Sequence, residues 1–197
     1  MLISYPEELL QKKCQLIVKE ILKEKYVELS VRDFILRECL KTTIECNVFF
    51  SNDWEDIFIV GEGHGPVDAL YTAMIDHFAP KFISLKNVSF DDFVMQVKFK
   101  NSSRKSASPV EIKLSLKNGN DRNIYFSSES HSMVGGAISV VTTACEYLIN
   151  AERAILQLRD FIADARQRER IDVMDVYVDK MVQLVGITTY EEVLDKG

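Results

Sequence analysis

Three glycines that alternate over a short turn are the sequence's clearest candidate for chemistry. The stretch VGEGHGPVDALYTAM, residues 60–74, holds Gly61, Gly63 and Gly65, although the whole chain has only 8 Gly and 4 Pro. Glycines let a ligand approach the main chain closely. The residues from Pro66 onward are predicted to form a helix, whose start offers unpaired N–H groups that suit an anion.

Nucleotide binding fits this turn poorly. A dinucleotide-binding loop follows the pattern GxGxxG, but here the last position of that pattern is Pro66, and Gly65 comes one residue early. No acidic residue ends the following strand at the distance expected for a ribose ligand. A P-loop is excluded because no Lys-Ser or Lys-Thr pair follows the turn.

Two other readings of the turn stay open. In the first, the glycines only allow a sharp passage from strand to helix, with Pro66 at the first helical position and Asp68 complementing the helix dipole. In the second, the turn binds a small zwitterion such as an α-amino acid. Helix-start N–H groups would then take the carboxylate, and turn carbonyls would take the ammonium group.

Composition and charge narrow the classes of protein. The 197 residues are 47% hydrophobic, which predicts a globular chain with a substantial core. A net charge of −6 argues against a general nucleic-acid binder. No apolar run reaches the ~18 residues of a membrane span, and charges interrupt the N-terminal segment, unlike a signal peptide. We expect a cytoplasmic protein with no nucleic-acid and no membrane partner.

Metal binding and nucleophilic catalysis find little support. The four cysteines lack CxxC spacing and are expected to be reduced and mostly buried; they are Cys14, Cys39, Cys46 and Cys145. The three histidines form neither an HxH nor an HExxH pair; they are His64, His77 and His131. No GxSxG segment is present. We expect no metal, no cofactor and no catalytic residue.

Hydrophobic periodicity predicts an α+β fold. Apolar residues at helical spacing over residues 6–24 predict an amphipathic helix, and SVRDFILREC, residues 30–39, is predicted to continue helical with Ser30 as N-cap. TTIECNVFF then alternates with a period of two, as a half-buried strand does. A long helix is predicted from about Met133, running past 30 residues or breaking near Asn150.

The order of elements repeats. Residues 40–78 and residues 93–150 both read as strand, turn, strand, small-residue loop and helix. Two β-β-α-type units of this kind would form a sheet layer covered by helices. We therefore expect a helical N-terminal extension over residues 1–39, a two-unit domain over residues 40–150 and a helical C-terminal extension over residues 151–197.

GEGHGPVDALYTAM resembles the GxGPVDA segment in the C-terminal regulatory domain of the 2-isopropylmalate synthase family, which includes (R)-citramalate synthase. That family usually reads GNGPVDA, so His64 stands in place of Asn. The resemblance covers roughly residues 40–150. Downstream it takes in VEIKLSL and NIYFSSESHSMVGGAISVVTTACEYLIN, which resemble the family's last strands, serine-containing loop and helix.

The resemblance implies a dimerising regulatory domain that binds leucine or isoleucine near the dimer interface and acts on a synthase catalytic subunit. In the second unit, the serines stand where the family often has an acidic residue or Asn. The ligand-binding residues that it suggests are Gly63, His64, Gly65, Pro66, Val67, Asp68 and Ala69 in the first unit, and Ser130 and Ser132 in the second.

The catalytic part of that family has no counterpart in the sequence. A TIM barrel takes about 250 residues, and only about 40 precede the regulatory-like region. The family's Arg-Asp-Gly-Glu signature is absent, because Arg32 and Asp33 are followed by Phe34. We expect a non-catalytic amino-acid-sensing homodimer. The alternative is a dimerisation or scaffold module derived from that domain that binds no ligand.

Overall fold

The computed structural model describes residues 6–38, 43–51, 56–98, 108–119 and 121–185. The protein is an α+β fold, as its periodicity predicts. In chain order the elements are α1 (Pro6–Leu22), β1 (Ser30–Glu38), β2 (Ile44–Ser51), β3 (Asp56–Gly63), α2 (Pro66–Phe78), β4 (Ser89–Val97), β5 (Val110–Lys117), β6 (Asn123–Ser130), α3 (Met133–Gln167) and α4 (Ile171–Val185).

The strands form two separate antiparallel sheets. Sheet A has the order β1-β2-β3 and is followed by α2, whereas sheet B has the order β4-β5-β6 and is followed by α3. The two related units predicted from the sequence are therefore present. Each unit has one strand more than the predicted repeat, so it runs β-β-β-α.

The predicted helix over residues 30–39 is wrong, because Ser30–Glu38 is strand β1. In its register with β2, Phe34 lies opposite Val48 and a β-bulge falls between Val31 and Asp33. The bulge inserts one residue and breaks the two-residue alternation. Apolar residues consequently fall at the three- and four-residue spacings of a helix.

The two units repeat at the level of single residues. Strands β1 and β4 both carry a bulge, immediately before Asp33 and before Asp92. In both, the aspartate Oδ1 accepts a hydrogen bond at 2.8 Å from the next main-chain N–H, that of Phe34 or of Phe93. The same local device therefore starts both units, which aligns the two edge strands residue by residue.

The main hydrophobic core is formed by the inner faces of both sheets with α2 and the first part of α3. Each large apolar side chain buried in this way contributes roughly 1.5–3 kcal/mol. The largest fully buried side chains of this core include Phe50, Leu70, Met74, Ile112, Leu114 and Ile149.

A second core joins α1, the rest of α3 and α4. It buries Cys14, Val18, Ile155, Leu158 and Leu184. The change from one core to the other falls between Ile149 and Ala151, inside α3, which continues unbroken through Asn150. The expected domain boundary at residue 150 therefore lies within a continuous helix. Residues 186–197 of the expected C-terminal extension lie outside the described residues.

Helix α3 is, within the described ranges, the one helix that is long and apolar enough to cross a membrane. Its most apolar window is 67% buried inside the fold. The apolarity of α3 is thus explained by its place in both cores.

Polar side chains of α3 fix the segments that lead into both edge strands. Asn150 pairs with the main chain of Val27, just before β1. The Glu152 carboxylate accepts a hydrogen bond from the main-chain N–H of Ser84 at 2.9 Å, a few residues before β4. One helix is consequently bonded to both segments that lead into the edge strands.

Candidate functional site

The glycine turn (residues 61–69) joins β3 to α2 with ordinary backbone geometry. Gly65 is the N-cap of α2 with φ −154° and ψ 166°, which any residue can adopt. No glycine among the described residues has a positive φ. The glycines of this turn are therefore not required by a left-handed backbone.

Close approach between strand and helix explains two of the three glycines. A Cβ added at Gly61 would lie 2.7 Å from the Cβ of Ala73, and a Cβ added at Gly63 would collide with the main chain of Ala69. Nothing lies within 4 Å of a Cβ added at Gly65. Gly61 and Gly63 thus let β3 and α2 pack in contact, which favours the structural reading of the turn.

The polar groups of the glycine turn are bonded to one another. Asp68 Oδ2 accepts a hydrogen bond from the main-chain N–H of His64 at 2.9 Å, and the Ala69 N–H bonds to the Gly65 carbonyl. The His64 side chain is 95% exposed. Because the Asp68 carboxylate already stands at the helix start, a second carboxylate there would meet like charge.

The serine turn (residues 130–136) is the counterpart of the glycine turn in the second unit. Ser132 is the N-cap of α3, and its Oγ accepts a hydrogen bond from the Gly135 N–H at 3.0 Å. Ser130 Oγ accepts a hydrogen bond from the Ser132 N–H at 3.1 Å. Both serines act as local caps, a role that needs no ligand.

The close contact between strand and helix recurs in mirrored form. In the first unit the glycine is on the strand, Gly63, and the helix carries Ala69. In the second unit the strand carries Ser130 and the helix carries the glycine, Gly136, where an added Cβ would collide with the Ile112 side chain and lie 3.0 Å from the Ser130 Cβ. The glycine turn and the serine turn, which the sequence predicts to bind the ligand, are therefore equivalent close contacts between strand and helix, one in each unit.

A groove of about 470 Å³ lies between β1 of the first unit and α3 of the second. We call it the open groove. Leu29, Val31, Phe34 and Ile138 supply apolar lining. Its polar lining includes Arg32, Asp33, Ser139, Thr142, Thr143 and Glu146. A groove with both kinds of wall suits a small molecule that has a charged end and an apolar end.

Thr142 is the most unusual residue of the open groove. Its side chain is buried, with 5% of the residue exposed, and its hydroxyl has no hydrogen-bond partner among the described residues. The neighbouring Thr143 instead donates to the Ser139 carbonyl at 2.8 Å, the usual bond for a helical threonine. A buried hydroxyl without a partner costs about 1–3 kcal/mol, so Thr142 calls for an explanation.

The Glu146 carboxylate sits in the groove wall with defined partners. One oxygen accepts a hydrogen bond from the Tyr26 hydroxyl at 2.9 Å, and the other accepts one from the Leu29 N–H at 3.0 Å. Burial and the nearby Glu146 charge raise the pKa of Tyr26, so the phenol remains a donor. These bonds hold a negative charge beside the segment that leads into β1.

At the open end of the groove, Arg32 pairs with Asp56 at 3.1 Å. Both side chains are largely exposed, so this ion pair contributes little stability, about 0–1 kcal/mol. The guanidinium can therefore exchange partners at small cost. The open groove thus has a carboxylate in its wall and a cation at its rim.

The residues predicted from the sequence do not line the open groove. None of the nine, from Gly63 to Ala69 and Ser130 with Ser132, belongs to its lining, although Gly135 of the serine turn does. Sequence reasoning missed Thr142 and Glu146. The available signal was a pair of threonines inside an otherwise apolar helical segment, AISVVTTACEYLI.

A second groove, of about 480 Å³, lies in the helical part beside the end of α1. Phe161 and Tyr177 line it, with ring centroids 5.3 Å apart, and Lys180 bonds to Glu20 at 2.6 Å. Both polar groups of that bond are thus already paired. The groove is less suited to a charged ligand than the open groove.

Neither a known protein-family profile nor a curated protein sequence matches the chain. Among the described residues, no group of three or more His, Cys, Asp or Glu side chains is arranged to hold a metal ion. The functional interpretation therefore depends on the residues themselves and on the internal repeat.

Proposed function

We propose that this protein is a non-catalytic, cytoplasmic regulatory domain that binds a branched-chain amino acid, leucine or isoleucine, in the open groove. The observation that carries the proposal is Thr142, a residue that lines a groove with both apolar and charged walls and whose buried hydroxyl has no partner in the part of the chain that the structure describes. Because the hydroxyl oxygen is covered from solvent, a ligand would reach it only after the Thr142 side chain rotates toward the groove, and the new bond would then remove its cost. We place the ligand in the open groove rather than at the glycine turn, because the Asp68 carboxylate already lies at the start of α2.

The groove offers a partner for each part of an amino acid. The Glu146 carboxylate suits the ammonium group, and Arg32 suits the carboxylate. Ile138 and Phe34 offer apolar contact to an aliphatic side chain. Hydrogen bonds to charged groups contribute about 1.5–3 kcal/mol each, so a free amino acid can bind with useful affinity without covalent chemistry.

Dimerisation is the second part of the proposal. On the outer face of sheet A, Phe49 and Phe58 stack with ring centroids 4.6 Å apart, and Val60 and Ile35 extend the patch. Phe58 is 53% exposed. An exposed apolar cluster on a sheet face is typical of an interaction surface, and we assign it to a second copy of the chain. A synthase catalytic subunit is the partner that the resemblance suggests.

The outer face of sheet B is different. Lys98 forms ion pairs there with Glu111 at 3.2 Å and with Glu129 at 3.4 Å. Such charged pairs are typical of a surface exposed to solvent. The contrast between the two faces favours sheet A as the dimer surface. The alternative function, a scaffold module without a ligand, needs only this surface and leaves the open groove unexplained.

Titration calorimetry and thermal shift with the twenty amino acids test the proposal. We expect heat and a raised Tm with leucine or isoleucine, weaker effects with valine, and none with lysine or aspartate. If neither method responds to any branched-chain amino acid at millimolar concentration, the sensing function is wrong. Static light scattering of the same sample gives the oligomeric state, and a dimer without ligand response favours the scaffold alternative.

A further inference from the structure

Each unit places its helix beside the edge strand of the other unit, so the repeat contains two equivalent positions for a groove. The bulges align β1 with β4, which makes Val31 the counterpart of Phe90. The N-caps Gly65 and Ser132 align α2 with α3, because both carbonyls accept a bond at 2.9 Å from the equivalent helical N–H. Tyr71 then corresponds to Ile138.

The position between α2 and β4 is filled by the chain itself. The Tyr71 hydroxyl donates to the main-chain carbonyl of Val88 at 2.8 Å. Its ring meets Phe90 edge to face, with centroids 4.4 Å apart. Burial raises the pKa of Tyr71, in agreement with its enclosure. We call this the filled groove.

In the open groove the same positions carry smaller side chains. Ile138 replaces Tyr71, and Val31 replaces Phe90. Together these two exchanges remove about eight non-hydrogen atoms from the space between helix and edge strand, where Phe90 itself is 37% exposed. Thr142, with its unpartnered hydroxyl, stands where α2 has Ile75. The open groove has therefore lost bulk and gained a polar group relative to its counterpart.

We infer that the ligand of the open groove is a primary amine with a branched apolar body, which takes the place of the Tyr71 and Phe90 rings of the filled groove. The inference rests on the proposed function, because it specifies the ligand of that same site. The amine and branched body of leucine bring about six non-hydrogen atoms, which fit within the missing bulk under close packing.

The filled groove further indicates which polar group matters most. The counterpart of the Val88 carbonyl, which accepts from Tyr71, is the carbonyl of Leu29. The Leu29 N–H is bonded to Glu146, so a negative charge lies at the same end. A donor with positive charge suits that end, which makes the amine essential. The carboxylate of an amino acid would lie toward the exposed Arg32 and contribute less.

Transfer of the filled groove's own side chains tests the site. Ile138→Tyr and Val31→Phe place the counterpart residues in the open groove, and we expect each to lower leucine affinity at least 10-fold while Tm is kept or raised. Ile171→Tyr, at an exposed position on α4, is the matched control and should bind leucine as the wild type does. Val31 lies on an edge strand, so V31F remains informative if I138Y does not fold.

A panel of single-function probes tests the ligand class. Isopentylamine has the amine and the branched body without a carboxylate, and isocaproate has the reverse. We expect the wild type to bind leucine and isopentylamine, and V31F to bind neither. Binding of isocaproate as tight as that of isopentylamine, or unchanged leucine binding by both filled variants, overturns the inference.

The two proposals fail in different ways. Binding of isopentylamine but of no amino acid would overturn the sensing function and support the assignment of the groove. Binding of leucine that V31F and I138Y leave unchanged would support sensing and overturn the groove. If the wild type binds none of the probes, both proposals are wrong.

Discussion

Asn150 of α3 pairs with Val27 as a neighbouring strand would. Its Oδ1 accepts a hydrogen bond from the Val27 N–H at 2.9 Å, and its Nδ2 donates to the Val27 carbonyl at 2.8 Å. Asn150 is completely buried. A side chain thereby satisfies both main-chain groups of a residue just before the edge strand β1.

The first prediction concerns this pairing. Asn150→Ala leaves the two Val27 groups unpaired and opens a cavity, so we expect a loss of about 3 kcal/mol in the free energy of unfolding. Urea denaturation followed by circular dichroism measures it. Gln167→Ala, at an exposed position at the end of α3, is the control and should cost under about 0.5 kcal/mol. Equal losses in the two variants would contradict the role assigned to Asn150.

The second prediction separates packing from ligand binding in the glycine turn. Gly63→Ala pushes a Cβ into the main chain of Ala69 and should cost about 2–3 kcal/mol. Gly65→Ser, which copies the Ser132 cap, should stabilise by a few tenths of a kcal/mol. Both values come from chemical denaturation. Calorimetry should find leucine affinity unchanged in Gly65→Ser. A loss of leucine affinity in this variant would indicate that the glycine turn, and not the open groove, binds the ligand.

The third prediction concerns Thr142. Thr142→Val keeps the shape and removes the unpartnered hydroxyl, so the ligand-free protein should gain about 1 kcal/mol of stability. Ligand affinity should fall about 3- to 10-fold, the equivalent of one hydrogen bond. Thr72→Val, at a half-buried helical threonine of α2 outside the groove lining, is the matched control and should change neither quantity beyond error. A gain in both stability and ligand affinity, or a loss in both, would contradict a Thr142 hydroxyl that bonds to the ligand.

The fourth prediction concerns the surface of sheet A. Phe58→Glu places a charge in the exposed apolar cluster, and we expect the proposed dimer to dissociate at least 10-fold more readily. Sedimentation velocity over a concentration series measures this change. Ser127→Glu introduces the same charge on exposed β6 of sheet B and should leave the dimer intact. Dissociation by S127E alone would move the interface to sheet B.

The fifth prediction uses the buried thiol of Cys145. Burial raises its pKa from 9.0 to about 12. Since the thiol ionises at lower pH in the unfolded chain than in the fold, its contribution to stability is complete below pH 9 and is lost as pH rises toward 12. The expected slope is roughly 1 kcal/mol per pH unit.

The measurement for that thiol is denaturation over a series of alkaline buffers. The free energy of unfolding of Cys145→Ala should depend less steeply on pH, by the slope that one ionisable group contributes. The loss of packing also lowers the stability of this variant at every pH. Thr143→Ala, two residues away and exposed, keeps the wild-type slope. A slope that Cys145→Ala leaves unchanged would show that the thiol ionises equally in both states.

The periodic parts of the fold could be predicted from the sequence. Alternation in β2 and helical spacing in α1 follow directly from which side chains are buried. Strand β1 could not be predicted from the sequence, because the bulge before Asp33 gives this strand the apolar spacing of a helix. Recognising SVRDF and SFDDF as copies of one bulged start would have corrected it, since both carry the Asp–Phe pair at the bulge.

The candidate site was harder to predict for a different reason. The open groove is formed by β1 and α3, segments about 100 residues apart that belong to different units, and periodicity contains no information on that contact. The glycine turn stands out in the sequence because it holds three of the chain's 8 glycines. Its Gly61 and Gly63 are explained by contact with Ala69 and Ala73, which sequence alone does not distinguish from room for a ligand.

The 35-residue length of α3 has a mechanical consequence. At 1.5 Å per residue the helix spans about 50 Å, with Thr142 near its start and the packing surface for α4 toward its end. A rigid rod of that length converts a tilt of about 5° at one end into a displacement of about 4 Å at the other. A ligand that displaced the groove wall at Thr142 would therefore cause its largest shift in position at the far end of α3, where α4 packs.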